Sequence, residues 1–183
     1  MDASEIICIA SGPSLTRSDC LLAAKSGLPI IAVNSSWKII PECRYIFAGD
    51  YAWWGKYHDQ ITGNAERWTT SPRANILYGI NLLTGHTEGA FNSGQMAIRL
   101  AAHFGAKRII LLGYDCSLKN GTHWHGQHDR GLDNPVPEEV SRWHKDFSSL
   151  VGELPGVEII NASRYTELTC FPMKTPESVF NAR

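Results

Sequence analysis

The chain has 183 residues, a formal net charge of -1, a hydrophobic fraction of 43% and a charged fraction of 19%. That is enough for one domain with a core of its own, and so weak a charge gives no field selecting nucleic acid or an anionic membrane. No stretch approaches the roughly 20 apolar residues of a membrane helix. The N-terminal MDASEIICIASG is acidic where a signal peptide is basic, so a cytoplasmic protein without membrane contact is expected.

In chain order, Glu5 to Ala10 is a short apolar run broken by Ser11-Gly12-Pro13, the pattern of a strand buried on both faces. Ser14 is placed to cap a helix starting near Leu15 and ending at Gly27, with Thr16, Ser18 and Asp19 also available in its first turn. Pro29 to Val33 predicts a second strand, stopping at Asn34. Arg44 to Ala48 predicts a third, stopping at Gly49-Asp50, with a helix following from Tyr51 or Ala52 that carries Trp53 and Trp54. Arg67 to Thr70 and Asn75 to Tyr78 are weaker strand candidates, and Gly79 to Ala90 reads as a loop. From Ser93 to Phe104, residues Met96, Ala97, Leu100, Ala101 and Phe104 share one helical face.

Arg108 to Leu112 predicts another strand. Val136 to Val151 predicts a helix, with Pro137 in its first turn and Glu138 and Glu139 set favourably against its dipole. Val157 to Ile160 is a last strand, and the tail holds a short helix after Pro176. Short apolar strands alternating with amphipathic helices predict one α/β domain, Rossmann-like, with a mostly parallel sheet flanked by helices. The five cysteines are scattered without a CxxC, so free thiols rather than disulfides are expected.

The chemistry concentrates at strand ends. A strand, then Ser11-Gly12-Pro13-Ser14, then a helix is the layout of a phosphate site, although it is neither GxGxxG nor a Walker loop. Asn34, Asp50 and Asp115 follow the second, third and Arg108–Leu112 strands, where open parallel sheets bind ligands. Each is also an ordinary cap or turn residue.

Trp53, Trp54 and Trp124 read either as core or as a stacking platform for an acceptor ring. The stretch His123-Trp124-His125-Gly126-Gln127-His128-Asp129 is open to three readings. It could supply zinc ligands, though in no recognised zinc pattern. It could provide a general base or phosphate contact, for which His123 and His125 are the candidates. It could also be a polar lid without chemistry. Lys119, Arg130 and Arg142 are placed to neutralise a leaving diphosphate.

Two motifs carry a resemblance: Gly12-Pro13-Ser14-Leu15 after the first strand, and Ser93-Gly94 running on to Gly105-Ala106, Ile109, Leu111, Gly113 and Asp115. Together these resemble the domain family of archaeal 6-hydroxymethyl-dihydropterin diphosphokinase and the motility accessory factors linked to flagellin glycosylation. They are also similar to the bacterial sialyltransferases that use CMP-sialic acid, and the compact chain looks like the short phage-encoded members.

The resemblance implies a nucleotide-binding site. Gly12, Pro13 and Ser14 would wrap phosphates, Asn34 would contact sugar or phosphate, and the helix start Asn92-Ser93-Gly94-Gln95 would add donors. Asp115 would hold a ribose or a magnesium ion. Ser11 and Asn92 depart from the sialyltransferase pattern but stay polar, which leaves the donor nucleotide open. The expected activity is transfer from a nucleotide-sugar to a hydroxyl acceptor, with His123, His125 and Asp115 as catalytic residues. The alternatives are diphosphate transfer from ATP with magnesium, a non-catalytic module that sequesters a nucleotide, and a zinc-dependent hydrolase. A small-molecule nucleotide is the expected partner, nucleic acid is not indicated, and homo-oligomerisation stays open.

Overall fold

The computed structural model describes residues 4–85 and 92–181. Seven strands form one all-parallel sheet: β1 (Glu5–Ile9), β2 (Ile30–Val33), β3 (Tyr45–Phe47), β4 (Glu66–Thr69), β5 (Asn81–Leu82), β6 (Arg108–Leu112) and β7 (Glu158–Asn161). Their order is β5-β4-β3-β2-β1-β6-β7. The chain builds outward from β1 to β5 and then crosses back to lay β6 on the other side of β1. The β1–β6 register pairs Glu5 with Arg108 and Ile9 with Leu112. The switch point of this Rossmann-like sheet therefore lies between β1 and β6, where a crevice opens beyond the strand ends.

Strand alternation divides the core. Ile7, Ile9, Ala32, Ile46, Ile110 and Leu112 face one cluster, which includes residues of α1 (Arg17–Lys25), α2 (Tyr51–Tyr57), α3 (Pro72–Tyr78) and α6 (Pro176–Phe180). Ile6, Cys8, Ile31, Phe47, Ile109 and Leu111 face the other, with α4 (Ser93–His103) and α5 (Pro137–Glu153). All five cysteines are free thiols. Burial pushes Cys20 and Cys43 up to about 12, so both are inert packing groups. Among the described residues no helix is long and apolar enough to cross a membrane.

Three local expectations change. The segment Asn75 to Tyr78 is helix, not strand. Ser71 caps α3 by accepting from the Ala74 N–H, Pro72 occupies its first turn, and Gly79 ends it at φ 63°. A four-residue run with three apolar members has no periodicity to separate the two states, and the cap decides. Second, the loop expected over Gly79 to Ala90 contains β5, while its residues 86–90 lie outside the described chain. Third, α1 is capped by Thr16, whose hydroxyl accepts from the Asp19 N–H at 3.1 Å. Ser14 is left free for another task.

Asp19 is 1% exposed, yet its carboxylate is well held. Thr16 donates to Oδ2 at 2.7 Å, and Arg164 donates to Oδ1 from Nε at 2.9 Å and Nη2 at 2.6 Å. Arg164 continues to Glu177 on α6. The network fastens α1 to the C-terminal segment. Removing the guanidinium leaves a buried carboxylate without its counter-charge, so Arg164→Ala is expected to destabilise by about 3 kcal/mol. Urea unfolding checks this, with Arg164→Lys recovering only part because the fork is lost.

Candidate functional site

A crevice of about 670 Å³ opens at the C-terminal ends of β1, β2, β3 and β6. Its floor includes Ser11, Gly12, Asn34, Gly49 and Gly113. One wall is the start of α4, another is the face of α5 bearing Arg142, Trp143 and Phe147. The roof is the loop between β6 and α5, through His123, His128, Leu132 and Asn134. Asn34 stands at φ 48° and Cys116 at φ 48°. Two non-glycine residues in left-handed conformation, both on this lining, concentrate backbone strain at the site.

The turn after β1 is built differently from a phosphate cradle. The Gly12 N–H donates to Gly113 O at 2.8 Å, the Leu15 N–H to Gly12 O at 3.1 Å and the Ser14 N–H to Asp115 Oδ2 at 2.9 Å, while Pro13 has none to give. These three backbone donors of the turn are therefore spent within the chain. Ser14 Oγ also donates to Asp115 Oδ1 at 2.6 Å. Gly12 and Pro13 border the crevice, but the expected wrapping of phosphates by Gly12, Pro13 and Ser14 gives way to a clamp between the β1 turn and the β6 end.

Asp115 is 2% exposed. Burial raises its pKa, against the lowering effect of the two Ser14 bonds. Ser14 takes one lone pair on each oxygen, so Asp115 is tied to the β1 turn while it also borders the crevice. Among the described residues no group of three or more His, Cys, Asp or Glu side chains could hold a metal ion. The site therefore does not fit a magnesium ion held by the protein alone.

The start of α4 retains more capacity. Asn92 Oδ1 accepts from the Gln95 N–H at 2.8 Å, and its buried Nδ2 has no hydrogen-bond partner among the described residues. Ser93 Oγ accepts from the Gly49 N–H at 3.1 Å and joins this helix to the end of β3. The Tyr114 hydroxyl donates to Gly94 O at 3.0 Å. A Cβ on Gly94 would come within 3.1 Å of that ring. Asn92, Ser93 and Gly94 line the crevice. Gln95, expected among the ligand donors, is fully buried and donates to Asp146 O at 2.7 Å on α5; it fixes α4 against α5 instead.

On the opposite rim Asp50 caps α2, accepting from the Ala52 N–H at 2.9 Å, and faces the crevice. Trp54 is fully buried and donates from Nε1 to Ala48 O at 2.8 Å. It has no face to offer an acceptor, and its expected stacking role is replaced by core packing. Trp53, 3% exposed, borders the crevice and meets Trp54 edge to face at 4.9 Å. Trp124 packs on the core cluster beneath the sheet ends, and its backbone N–H donates to Ser11 O at 2.9 Å.

The three histidines converge. Ring centroids lie 5.0 Å apart for His123–His125, 4.1 Å for His123–His128 and 5.3 Å for His125–His128. His123 Nδ1 is hydrogen-bonded to Ser11 Oγ at 3.1 Å. His123 Nε2, His125 Nε2 and His128 Nδ1 are buried without hydrogen-bond partners among the described residues. Desolvation, then the His128 and His125 charges, pull His123 down to about 3, so it is neutral at ordinary pH. The loop is moored by Asp129, which accepts from the Tyr57 hydroxyl at 2.6 Å and pairs with Lys56 at 3.3 Å.

Of the expected phosphate-neutralising cations, Arg142 lines the crevice, 3.9 Å from Glu139. Lys119 is instead paired with Glu167. Tyr114, Trp143 and Phe147 were not singled out from sequence. Their signal, apolar residues at a strand end and on a helix face, is the same as that of any core residue.

No family model matches this chain, and no curated protein matches it. Its fold is similar to that of a solved glycosyltransferase. The structure is that of the MAf glycosyltransferase from Magnetospirillum magneticum AMB-1, with a TM-score of 0.64 at 14% sequence identity. The match covers 96% of this chain and 34% of that one, so this chain spans about a third of that protein's length. At this identity the likeness is one of fold.

Proposed function

We propose that the chain is a nucleotide-dependent transferase of glycosyltransferase type, passing a sugar from a nucleotide donor to a hydroxyl acceptor. The observation that carries the reading is the position of the crevice. It lies at the switch point of a parallel sheet, between the start of α4 and a loop bearing a neutral histidine. The fold likeness to a MAf glycosyltransferase supports it.

In this reading the donor phosphates lie at Ser93 and Gly94, whose N–H groups stand in the first turn of an 11-residue helix. Arg142 neutralises the leaving group from the α5 side. The base ring packs on the apolar wall of Tyr114, Trp143 and Phe147. The acceptor enters beside Trp53 and the histidine loop. His123 takes the acceptor proton on Nε2, with Nδ1 anchored to Ser11. The lining otherwise carries Asp50, Asp115, Asp133 and Glu139, so a magnesium ion, if used, arrives with the phosphates.

Thermal unfolding with CMP, CDP, UDP, GDP and ATP, each with and without magnesium, tests the site. A ligand at 100 times its Kd raises stability by about 2.7 kcal/mol. A rise in Tm with a pyrimidine or guanine nucleotide that survives chelation supports glycosyl transfer. A rise only with ATP and magnesium transfers the reading to diphosphate chemistry. No rise with any of them contradicts the site. A non-catalytic nucleotide-binding module is the second reading, favoured by one observation: the free nitrogen of His123 is covered.

A further inference from the structure

The histidine loop holds a contradiction for any reaction at His123. Of its two ring nitrogens, Nδ1 is bonded to Ser11 and Nε2 is buried with no hydrogen-bond partner among the described residues. A buried polar atom without a partner in a crevice is costly and calls for an explanation. The covering groups are identifiable. The His128 ring lies 4.1 Å from that of His123, tilted by 40°, and the His125 ring lies 5.0 Å away, nearly parallel at 15°. Trp124 closes the far side of His125, edge to face at 5.1 Å.

We infer that the structure is a self-capped resting state, in which the rings of His125 and His128 occupy the place an acceptor takes against His123 Nε2. This rests on the reading of His123 as the base. The cap is also removable. Nδ1 of His128 makes no hydrogen bond, and no hydrogen bond holds its ring among the described residues. Only its backbone N–H is anchored, to Asn134 Oδ1 at 2.8 Å. Gly121, Gly126 and Gly131, at φ 107°, 86° and 92°, punctuate the loop before, within and after the cluster. They supply backbone positions free of Cβ constraints at which it can re-form. The mooring of Asp129 to Tyr57 and Lys56 lies beyond the rings, so His128 can turn out without releasing the loop. An acceptor hydroxyl would then satisfy Nε2, which the cap leaves unsatisfied.

Carbethoxylation of histidines by diethylpyrocarbonate, mapped by mass spectrometry at pH 7, tests this without any nucleotide. The reagent attacks neutral imidazole nitrogen. His123 is neutral, so protonation does not mask it; its lowered basicity also slows it, and access is therefore read from the change in its rate between the wild type and the His128→Ala protein. His103, exposed on α4, is the internal reference. In the folded wild-type protein His123 is expected to react at least about tenfold more slowly than His103, the protection of a local opening step. His128→Ala is expected to bring His123 toward the His103 rate, with circular dichroism confirming the fold.

A wild-type His123 that reacts within about twofold of His103 overturns the cap. Continued protection of His123 in both His128→Ala and His125→Ala does so as well. The wild-type arm stands even if a variant fails to fold. Because no nucleotide is involved, a failed nucleotide screen leaves this result untouched, and the reverse holds too.

Discussion

Gly12→Ala is expected to cost at least about 3 kcal/mol of stability, near the limit of what overpacking does. The added Cβ would stand 2.2 Å from Asp115 Oδ1 and 2.4 Å from Gly113 O. Neither neighbour can withdraw. Gly113 O accepts the Gly12 N–H at 2.8 Å, and the Asp115 carboxylate is held by two bonds from Ser14. Both strand ends are locked by the β1–β6 ladder. Urea unfolding measures the loss. Gly152→Ala is the matched control, because it is helical and nothing lies within 4 Å of the new methyl. It should gain up to about 1 kcal/mol from helix propensity. A Gly12→Ala protein as stable as wild type would mean that the turn and strand end do not make this contact.

His123→Ala is expected to lower transfer by roughly 10²- to 10⁴-fold, the usual contribution of a positioned base. Nucleotide affinity should stay within about twofold, since phosphate and base contacts lie at α4 and α5. Steady-state kinetics with a separate binding titration make the comparison. An equal loss in binding would assign His123 to the donor.

The same substitution has a pH signature. His123 is held at about 3, and burial also holds His125 and His128 below the ordinary value. In the unfolded chain all three titrate near ~6.5. Between these values the unfolded form binds more protons than the native one. The native contribution is therefore complete above about pH 6.5 and declines as pH falls from there toward 3. Among the charges facing the cluster, Lys38 adds to the repulsion, whereas Asp50 and Asp129 oppose it. Asp129 itself is held below the ordinary carboxylate value, so its own losses begin near ~3.9, below the pH 7 to 5 interval in which the histidines are compared. His123→Ala should flatten the fall in Tm between pH 7 and 5; an unchanged slope would show that the ring is not desolvated.

Much of the fold was legible because parallel strands buried on both faces read as short apolar runs, as in Ile6–Ile9 and Ile109–Leu112. The Rossmann-like sheet and the strand-end location of Asn34, Asp50 and Asp115 follow from those runs. Asn75 to Tyr78 failed for a local reason: Ile-Leu-Tyr suits either state, and the Ser71-Pro72 cap lay outside the run. The site was half legible. Sequence marks Gly12, Ser14 and Asp115 as special but cannot show that they satisfy one another rather than a ligand. Their pairings span 101 residues or more. Trp53 and Trp54 look equivalent in a string, and helix geometry sends one to the crevice rim and the other into the core. The convergence of three histidines is suggested by their spacing, yet the burial of their free nitrogens depends on how the loop folds over Ser11.

The central claim is that the crevice at the β1–β6 switch point binds a nucleotide. An amide NMR titration with CMP, CDP, UDP, GDP and ATP tests it most directly. The account predicts that at least one of them shifts the amides of Asn34, Gly49, Ser93, Gly94 and Tyr114 together and saturably. Shifts confined to the second hollow, around Trp37, Lys38, Arg44 and Asn64, or no shift with any of the five, would contradict it.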